Sequence, residues 1–349
     1  MTPLSAPPPS RSPWQKFYGG VHALRVAWYQ RRAVRLPVTV ISVGNLHWGG
    51  SGKTPLVAVI AEHLRDSGRQ VAILSRGYRR ERANDRQFRV ASMGQGPLLS
   101  ARWVGDEPAL LAATLPGVAV VVGTDRAAAG RHALLRLEPR PDLFLLDDGF
   151  SHLGLARDLD ILAFPAVDPW AGGRLAPSGR LREPLAASRR AHAAVLTGAD
   201  EAAPGAGAEL AETLGRYGFQ GAGFVSRTIS APPVTADGST LARGARVVAV
   251  AAIARPEAFF ATAERMGFDI VGRSAFRDHH PYSDDDVAEL DRQVAARGAV
   301  AILATAKDAV KLRGRTRSTL AEIPIRALPE TAFWTWLDGE LARLPEASR

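Results

Sequence analysis

The 349-residue chain contains no cysteine. That excludes disulfides, thiolate metal ligands and a cysteine nucleophile. Lysine is nearly missing too: of 44 basic residues only four are lysines, Lys16, Lys53, Lys307 and Lys311. Long apolar runs are also lacking. Stretches such as 117–123 and 247–254 have the length of a buried strand, whereas a membrane-spanning helix needs ~18 residues. Lys16 and the Gly19-Gly20 pair interrupt any secretory core, and no small-residue cleavage site follows. Aromatic residues, at 7%, are not interleaved with basic ones, and there is no basic tail, so nucleic acid is not an expected partner. The net charge of +9 points to a phosphorylated substrate or an anionic lipid surface. Nothing calls for an obligate protein partner.

The stretch from Val38 to Pro55 is present and informative. An apolar, β-branched run meets a glycine-rich turn, the turn closes on Gly52-Lys53-Thr54, and a helical pattern follows (Leu56, Val57, Ile60, Leu64). That is the order strand, phosphate loop, helix. Glycines let backbone N–H groups converge on a phosphate, a lysine reaches the outer phosphates, and a threonine hydroxyl ligates Mg²⁺. The first glycine of the strict motif is replaced by His47, so the loop is atypical, with Gly49, Gly50 and Gly52 supplying its freedom. In an arginine-rich chain, Lys53 stands where a compact ammonium is required. A second apolar strand ends in Asp147-Asp148-Gly149. An acid at that point sits beside a P-loop Mg²⁺.

The remaining candidates leave alternatives open. Ser75-Arg76-Gly77-Tyr78 follows a strand, where α/β sheets bind ligands, or is a solvated loop. Asp106-Glu107 opens a helix, as caps or as site residues. Residues 172–184 form a Gly-, Pro- and Arg-rich loop that faces an anion. Adjacent His279 and His280 do not make a metal site without a third ligand at suitable spacing. Thr305-Ala306-Lys307-Asp308 carries its lysine one place too late for a guanine motif, so GTP is not inferred.

The expected fold class is α/β: a P-loop NTPase-like lobe with a parallel sheet, and a second, smaller α/β lobe joined by a β-ribbon. The boundaries are a disordered 1–13, an amphipathic helix over 14–35, the P-loop lobe over 36–222, the ribbon over 223–239, and the smaller lobe over 240–349. The last helix either completes this lobe or returns to the first. A short hairpin is expected within 81–104. On the first helix Trp14, Phe17, Tyr18, Val21, Leu24 and Trp28 share one face, edged by arginines. That pattern suits a membrane interface and equally a helix packed on its own domain.

Taken together, Gly44-Asn45, Gly49-Gly50-Ser51-Gly52-Lys53-Thr54-Pro55, Ser75-Arg76-Gly77-Tyr78, Gly105-Asp106-Glu107-Pro108, Asp147-Asp148-Gly149-Phe150, Leu181-Arg182-Glu183-Pro184, Asp278-His279-His280 and Lys307-Asp308-Ala309-Val310-Lys311 closely resemble the tetraacyldisaccharide 4'-kinases of Gram-negative bacteria. The resemblance implies transfer of the ATP γ-phosphoryl group to the 4'-hydroxyl of a lipid A disaccharide 1-phosphate, by a peripheral enzyme at the cytoplasmic face of the inner membrane. It implies ATP contacts from Asn45, Gly49, Gly50, Ser51, Gly52, Lys53 and Thr54, and Mg²⁺ near Thr54, Glu107, Asp147 and Asp148. It further implies Asp106 as the base assisted by His279 of the second lobe, and substrate contacts from Arg76, Tyr78, His152, Arg174 and Arg182; closure of the lobes on bound substrate is expected to bring His279 in. Ser151, Ser178 and Ala254-Arg255 depart from the family's usual residues. Without the resemblance, another P-loop kinase or ATPase, or a non-catalytic nucleotide-binding protein at a membrane, fits the same motifs.

Overall fold

The computed structural model describes residues 13–81 and 87–344; of the segment expected to be disordered, residues 1–12 lie outside the described residues. In chain order α1 (Pro13–Gln30) leads to β1 (Thr39–Gly44), α2 (Lys53–Asp66), β2 (Val71–Ser75), β3 (Arg89–Met93), α3 (Ala101–Val104) and α4 (Asp106–Thr114). Then come β4 (Ala119–Val122), α5 (Arg126–Arg136), β5 (Leu143–Asp147), β6 (Leu159–Pro165), β7 (Ala193–Thr197), α6 (Ala206–Gly215) and β8 (Ala222–Ser230). A second unit holds β9 (Val234–Thr235), β10 (Arg246–Ala251), α7 (Pro256–Arg265), β11 (Asp269–Ala275), α8 (Asp284–Arg297), β12 (Ala301–Thr305), α9 (Ala306–Leu312) and β13 (Leu320–Ile323). The chain finishes with β14 (Ile325–Pro329) and α10 (Thr331–Arg343).

The large sheet runs β14-β8-β7-β6-β1-β5-β2-β4-β3 and is parallel except at its two edge pairs. Its central strands are buried on both faces, which is why they read as continuous apolar runs rather than alternating ones. Register then positions chemistry: Val43 of β1 lies opposite Asp147 of β5, so the phosphate loop and the acid pair leave neighbouring strands at the same end. The small sheet runs β11-β10-β12-β13-β9, parallel but for β9, with apolar clusters on both faces.

Three features differ from the sequence expectation or refine it. Within the described part of 81–104 the chain folds back after β3 in a minimal hairpin, an antiparallel bridge between Ser92 and Pro97 with the Leu98 N–H donating to the Ala91 carbonyl at 2.8 Å, while β3 itself pairs antiparallel with the free edge of β4 and α3 follows. The ribbon expected over 223–239 opens on β8, a full member of the large sheet, paired with both β7 and β14. The last helix returns to the large lobe: Phe333 and Leu337 of α10 are fully buried in its core, and Phe333 meets Phe224 of β8 edge-on at 5.5 Å. The chain thus crosses between lobes twice, around Ala231 and Pro324, where the Ala231 N–H donates to the Pro324 carbonyl at 2.9 Å.

Candidate active site

At the end of β1, an added Cβ on Gly44 would fall 2.4 Å from the Cβ of Phe150. Glycine there lets the phosphate loop lie against the turn that carries Asp147 and Asp148. Beyond it the loop is open: a Cβ on Gly49 or Gly50 would meet nothing within 4 Å. Gly52 caps α2 at φ 68, with no side-chain cap and no acid in the first turn. The free N–H groups and the positive end of the helix dipole are therefore available to an anion. Lys53 begins the helix, its Nζ 3.4 Å from Ser51 Oγ and 3.4 Å from Asp148 Oδ1. Asn45 Nδ2 donates to Ser51 Oγ at 2.9 Å. Thr54 follows on the same helix, half-buried.

His47 explains the atypical loop. It is buried and bridges to Leu181, and it does not have the positive φ that would require glycine. Burial pushes its imidazole down to about 4, so it is neutral, with Nδ1 3.2 Å from the Trp48 carbonyl.

The two neighbouring acids have opposite electrostatics. Asp147 is 1% exposed and receives one hydrogen bond, from Ser75 Oγ at 3.1 Å, while its Oδ1 has no partner. Burial, with Glu107 and Asp148 nearby, pushes its carboxyl up to about 7. Asp148 is only half-buried, and Lys53 and Arg182 outweigh its partial desolvation and hold it well below the usual carboxylate range. Arg182 grips it with both nitrogens, at 2.8 and 3.0 Å, and also reaches Asn45 Oδ1. Asp148 adopts φ 54, a left-handed conformation that this forked contact helps to hold.

The second cluster forms across the lobes. Asp106 and Glu107 open α4 but do not cap it. Asp106 Oδ2 lies 3.1 Å from His279 Nδ1 and 3.4 Å from Lys311 Nζ, while Glu107 Oε1 lies 3.3 Å from Lys307 Nζ. Burial favours the neutral form of Asp106, but the His279 hydrogen bond and the charges of Lys311, His279 and Lys307 outweigh it and lower its pKa. The Tyr78 ring meets the His279 ring edge-on at 5.5 Å, and Arg79 donates to the Asp278 carbonyl at 2.5 Å. The Asp106–His279 pair thus stands formed across the two lobes.

Other expected residues lie further out. Arg76 is exposed, and His152 is half-buried, its imidazole pushed down to about 4 by burial and by Arg126. Arg174 is exposed, and among the described residues no contact ties its side chain to either cluster. His280 pairs with Asp286 at 2.8 Å in the cap of α8 and does not face Asp106. Ser151, where the family has another residue, donates to Glu183 at 2.5 Å.

Four residues had no assigned role in the sequence reading. Thr197, at the end of β7, donates to the Ser51 carbonyl at 2.7 Å and braces the loop from behind, and nothing in its strand announces this. Arg126 is 4% exposed, its Nε has no partner, and it feels Asp148 and Asp147. An arginine in the first turn of α5 opposes the helix dipole, which was the available signal. For Lys307 and Lys311 the signal was the scarcity of lysine.

Among the described residues no group of three acidic or histidine side chains is disposed to hold a metal ion alone. A P-loop Mg²⁺ takes most of its ligands from phosphates and water, so one or two protein oxygens suffice. The unpartnered Asp147 Oδ1, on a carboxyl that burial and then its acidic neighbours push towards neutrality, fits such a cation.

Comparison with known proteins identifies the family. The family model for tetraacyldisaccharide-1-P 4'-kinase (LpxK) matches residues 11–342. The tetraacyldisaccharide 4'-kinase of Anaeromyxobacter sp. strain K is 42% identical over 311 residues, covering 86% of this chain and 80% of that one. The Geobacter sulfurreducens enzyme of the same name is 42% identical over 299 residues, covering 84% and 81%. The crystal structure of LpxK from Aquifex aeolicus in complex with ATP superposes with a TM-score of 0.75 at 31% identity, covering 95% of this chain and 97% of that one. The loop, the acid pair and the cross-lobe cluster thus occur in a chain that belongs to the tetraacyldisaccharide 4'-kinase family, a family of ATP-dependent phosphotransferases.

Proposed function

We propose that the two clusters divide the family reaction, transfer of the ATP γ-phosphoryl group to the 4'-hydroxyl of tetraacyldisaccharide 1-phosphate. The observation that carries this reading is the Asp106–His279 contact at 3.1 Å, which joins an acid of the P-loop lobe to an imidazole of the other lobe. Asn45, Gly49, Gly50, Ser51, Gly52, Lys53 and Thr54 hold the nucleotide phosphates. Thr54 and Asp147, with Asp148 and Glu107 beside them, would hold Mg²⁺. Bound there, the cation supplies charge neutralisation on the phosphate oxygens. Asp106 takes the proton of the attacking hydroxyl, and His279 assists by holding the carboxylate in place. Arg76, Tyr78, His152, Arg174 and Arg182 meet the sugar and its phosphate. The test is transfer of labelled phosphate from ATP to the disaccharide 1-phosphate in detergent micelles. Label confined to inorganic phosphate would mean an ATPase instead.

We further propose that α1 docks the enzyme peripherally on the cytoplasmic face of the inner membrane. Among the described residues no helix is long and apolar enough to cross a membrane. On α1, Val26 is buried and His22 pairs with Glu183 at 3.0 Å, so one side of the helix rests on the protein. Val21, Leu24 and Trp28 remain 49%, 75% and 50% exposed, with Arg32 stacked over Trp28 at 4.4 Å. An uncovered apolar face edged by arginine suits an anionic interface. Deleting residues 1–30 is expected to move the protein from the membrane fraction to the soluble one; unchanged partitioning overturns the docking role.

A further inference from the structure

We propose that Lys307 is the positioning residue of the cross-lobe base: its ammonium, 3.3 Å from Glu107 Oε1 and 3.2 Å from His279 Nε2, fixes His279 as the neutral tautomer protonated on Nδ1. This rests on the reading of Asp106 and His279 as the base and goes beyond it by naming the atom that takes the proton. An ammonium has donors only. At 3.2 Å, Nε2 must therefore be the acceptor, which leaves the ring proton on Nδ1. That proton points at Asp106 Oδ2, 3.1 Å away.

The surroundings make Lys307 decisive. The Asp278 carboxylate lies 3.7 Å from the same Nε2, outside hydrogen-bond reach but close enough to favour a proton there, and the Lys307 ammonium is the charge that opposes it.

Lys311, one turn further along α9, faces the same way. It is locked in place, with a side chain 4% exposed that is held by Asp308 at 2.9 Å and donates to the His280 carbonyl at 2.9 Å. Asp308 is itself fixed by the Ala252 N–H at 2.9 Å and the Thr305 hydroxyl at 2.7 Å. Lys311 and His279 both fall on Asp106 Oδ2, so Oδ1 is the oxygen left for the substrate hydroxyl. Lys307 is the partner whose described contacts all belong to the reacting cluster.

The experiment compares wild type, Lys307→Met and Lys307→Arg by ring-nitrogen NMR of histidine-labelled protein, with the His279 signals assigned through His279→Gln, alongside steady-state kinetics. Wild type is expected to show the Nδ1–H form and Lys307→Met a shift towards Nε2–H. In Lys307→Met, kcat should fall by about 10²-fold, the scale of a misplaced catalytic group, with KM for both substrates within about twofold. Lys307→Arg, also donor-only, should keep the Nδ1–H form and recover kcat to within about tenfold of wild type. An unchanged tautomer in Lys307→Met overturns the proposal, whatever happens to kcat. So does a changed tautomer with unchanged kcat. If Asp106→Asn also left kcat intact, the base assignment itself would fail; a severe loss there with normal Lys307→Met kinetics removes the lysine proposal alone.

Discussion

The two halves of the site are built on opposite plans. The nucleotide cluster lies within one lobe, on a loop and a neighbouring strand end, and it is electrostatically unfinished: Asp147 keeps an oxygen without a partner and holds its proton up to about pH 7. The cross-lobe cluster joins residues 173 and 200 positions apart in the chain, yet it is complete in itself, with two acids matched by two lysines and a histidine. The comparison teaches which half awaits charge and which supplies fixed geometry. A cradle that receives a polyphosphate and a cation gains from being open, whereas a base gains from being held.

The largest effect is expected where the comparison is sharpest, in the open half. Lys53→Ala or Thr54→Ala should lower transfer by about 10³-fold or more, because in the proposed reading each removes a group that holds the phosphates or their cation. Near-normal turnover of both variants in the labelled-phosphate assay would show that the loop is not the phosphate site.

The closed half should behave as a unit. Asp106→Ala and His279→Ala are each expected to lower kcat by about 10²-fold, and the double variant should lose little beyond the worse single one. Losses that multiply would separate the two residues, with Asp106 acting on its own and His279 serving the lobe contact.

This division also decides what was legible in the sequence. The phosphate loop and the acid strand could be read because their chemistry is contiguous, and adjacent strands carry it to one end of the sheet. Asp106 and His279 could not be paired that way: one reads equally as a helix-start acid, the other as a loop histidine, and only the family resemblance linked them. The resemblance named the motif containing Lys307 and Lys311 without their partners, since an i,i+4 pair says which face of α9 they share but not what that face meets. Thr197 and the edge pairing of β3 were invisible for the same physical reason, since both depend on a neighbour far away in the chain. The return of α10 to the large lobe follows from Phe333 finding β8, a contact that helical periodicity cannot address.

The smallest effect concerns stability and isolates the unfinished acid. In the folded protein burial, with Glu107 and Asp148 nearby, pushes the Asp147 carboxyl up to about 7, above an unfolded aspartate near 4. Between those values the folded state binds the extra proton, so stability falls as pH rises from about 4 to about 7 and levels off above. Without nucleotide or metal, Asp147→Asn removes that cost and can keep the bond from Ser75 Oγ through its amide oxygen. The variant should be less active, yet its Tm at pH 8 should exceed that of wild type by roughly 3 °C, with the gap closing towards pH 4. Adding Mg²⁺ and nucleotide should shrink the gap from the other side, since the cation relieves the same carboxylate in wild type alone. A variant no more stable than wild type at pH 8 would mean that Asp147 is already ionised and satisfied, and the two halves of the site would then differ in sequence layout but not in electrostatics.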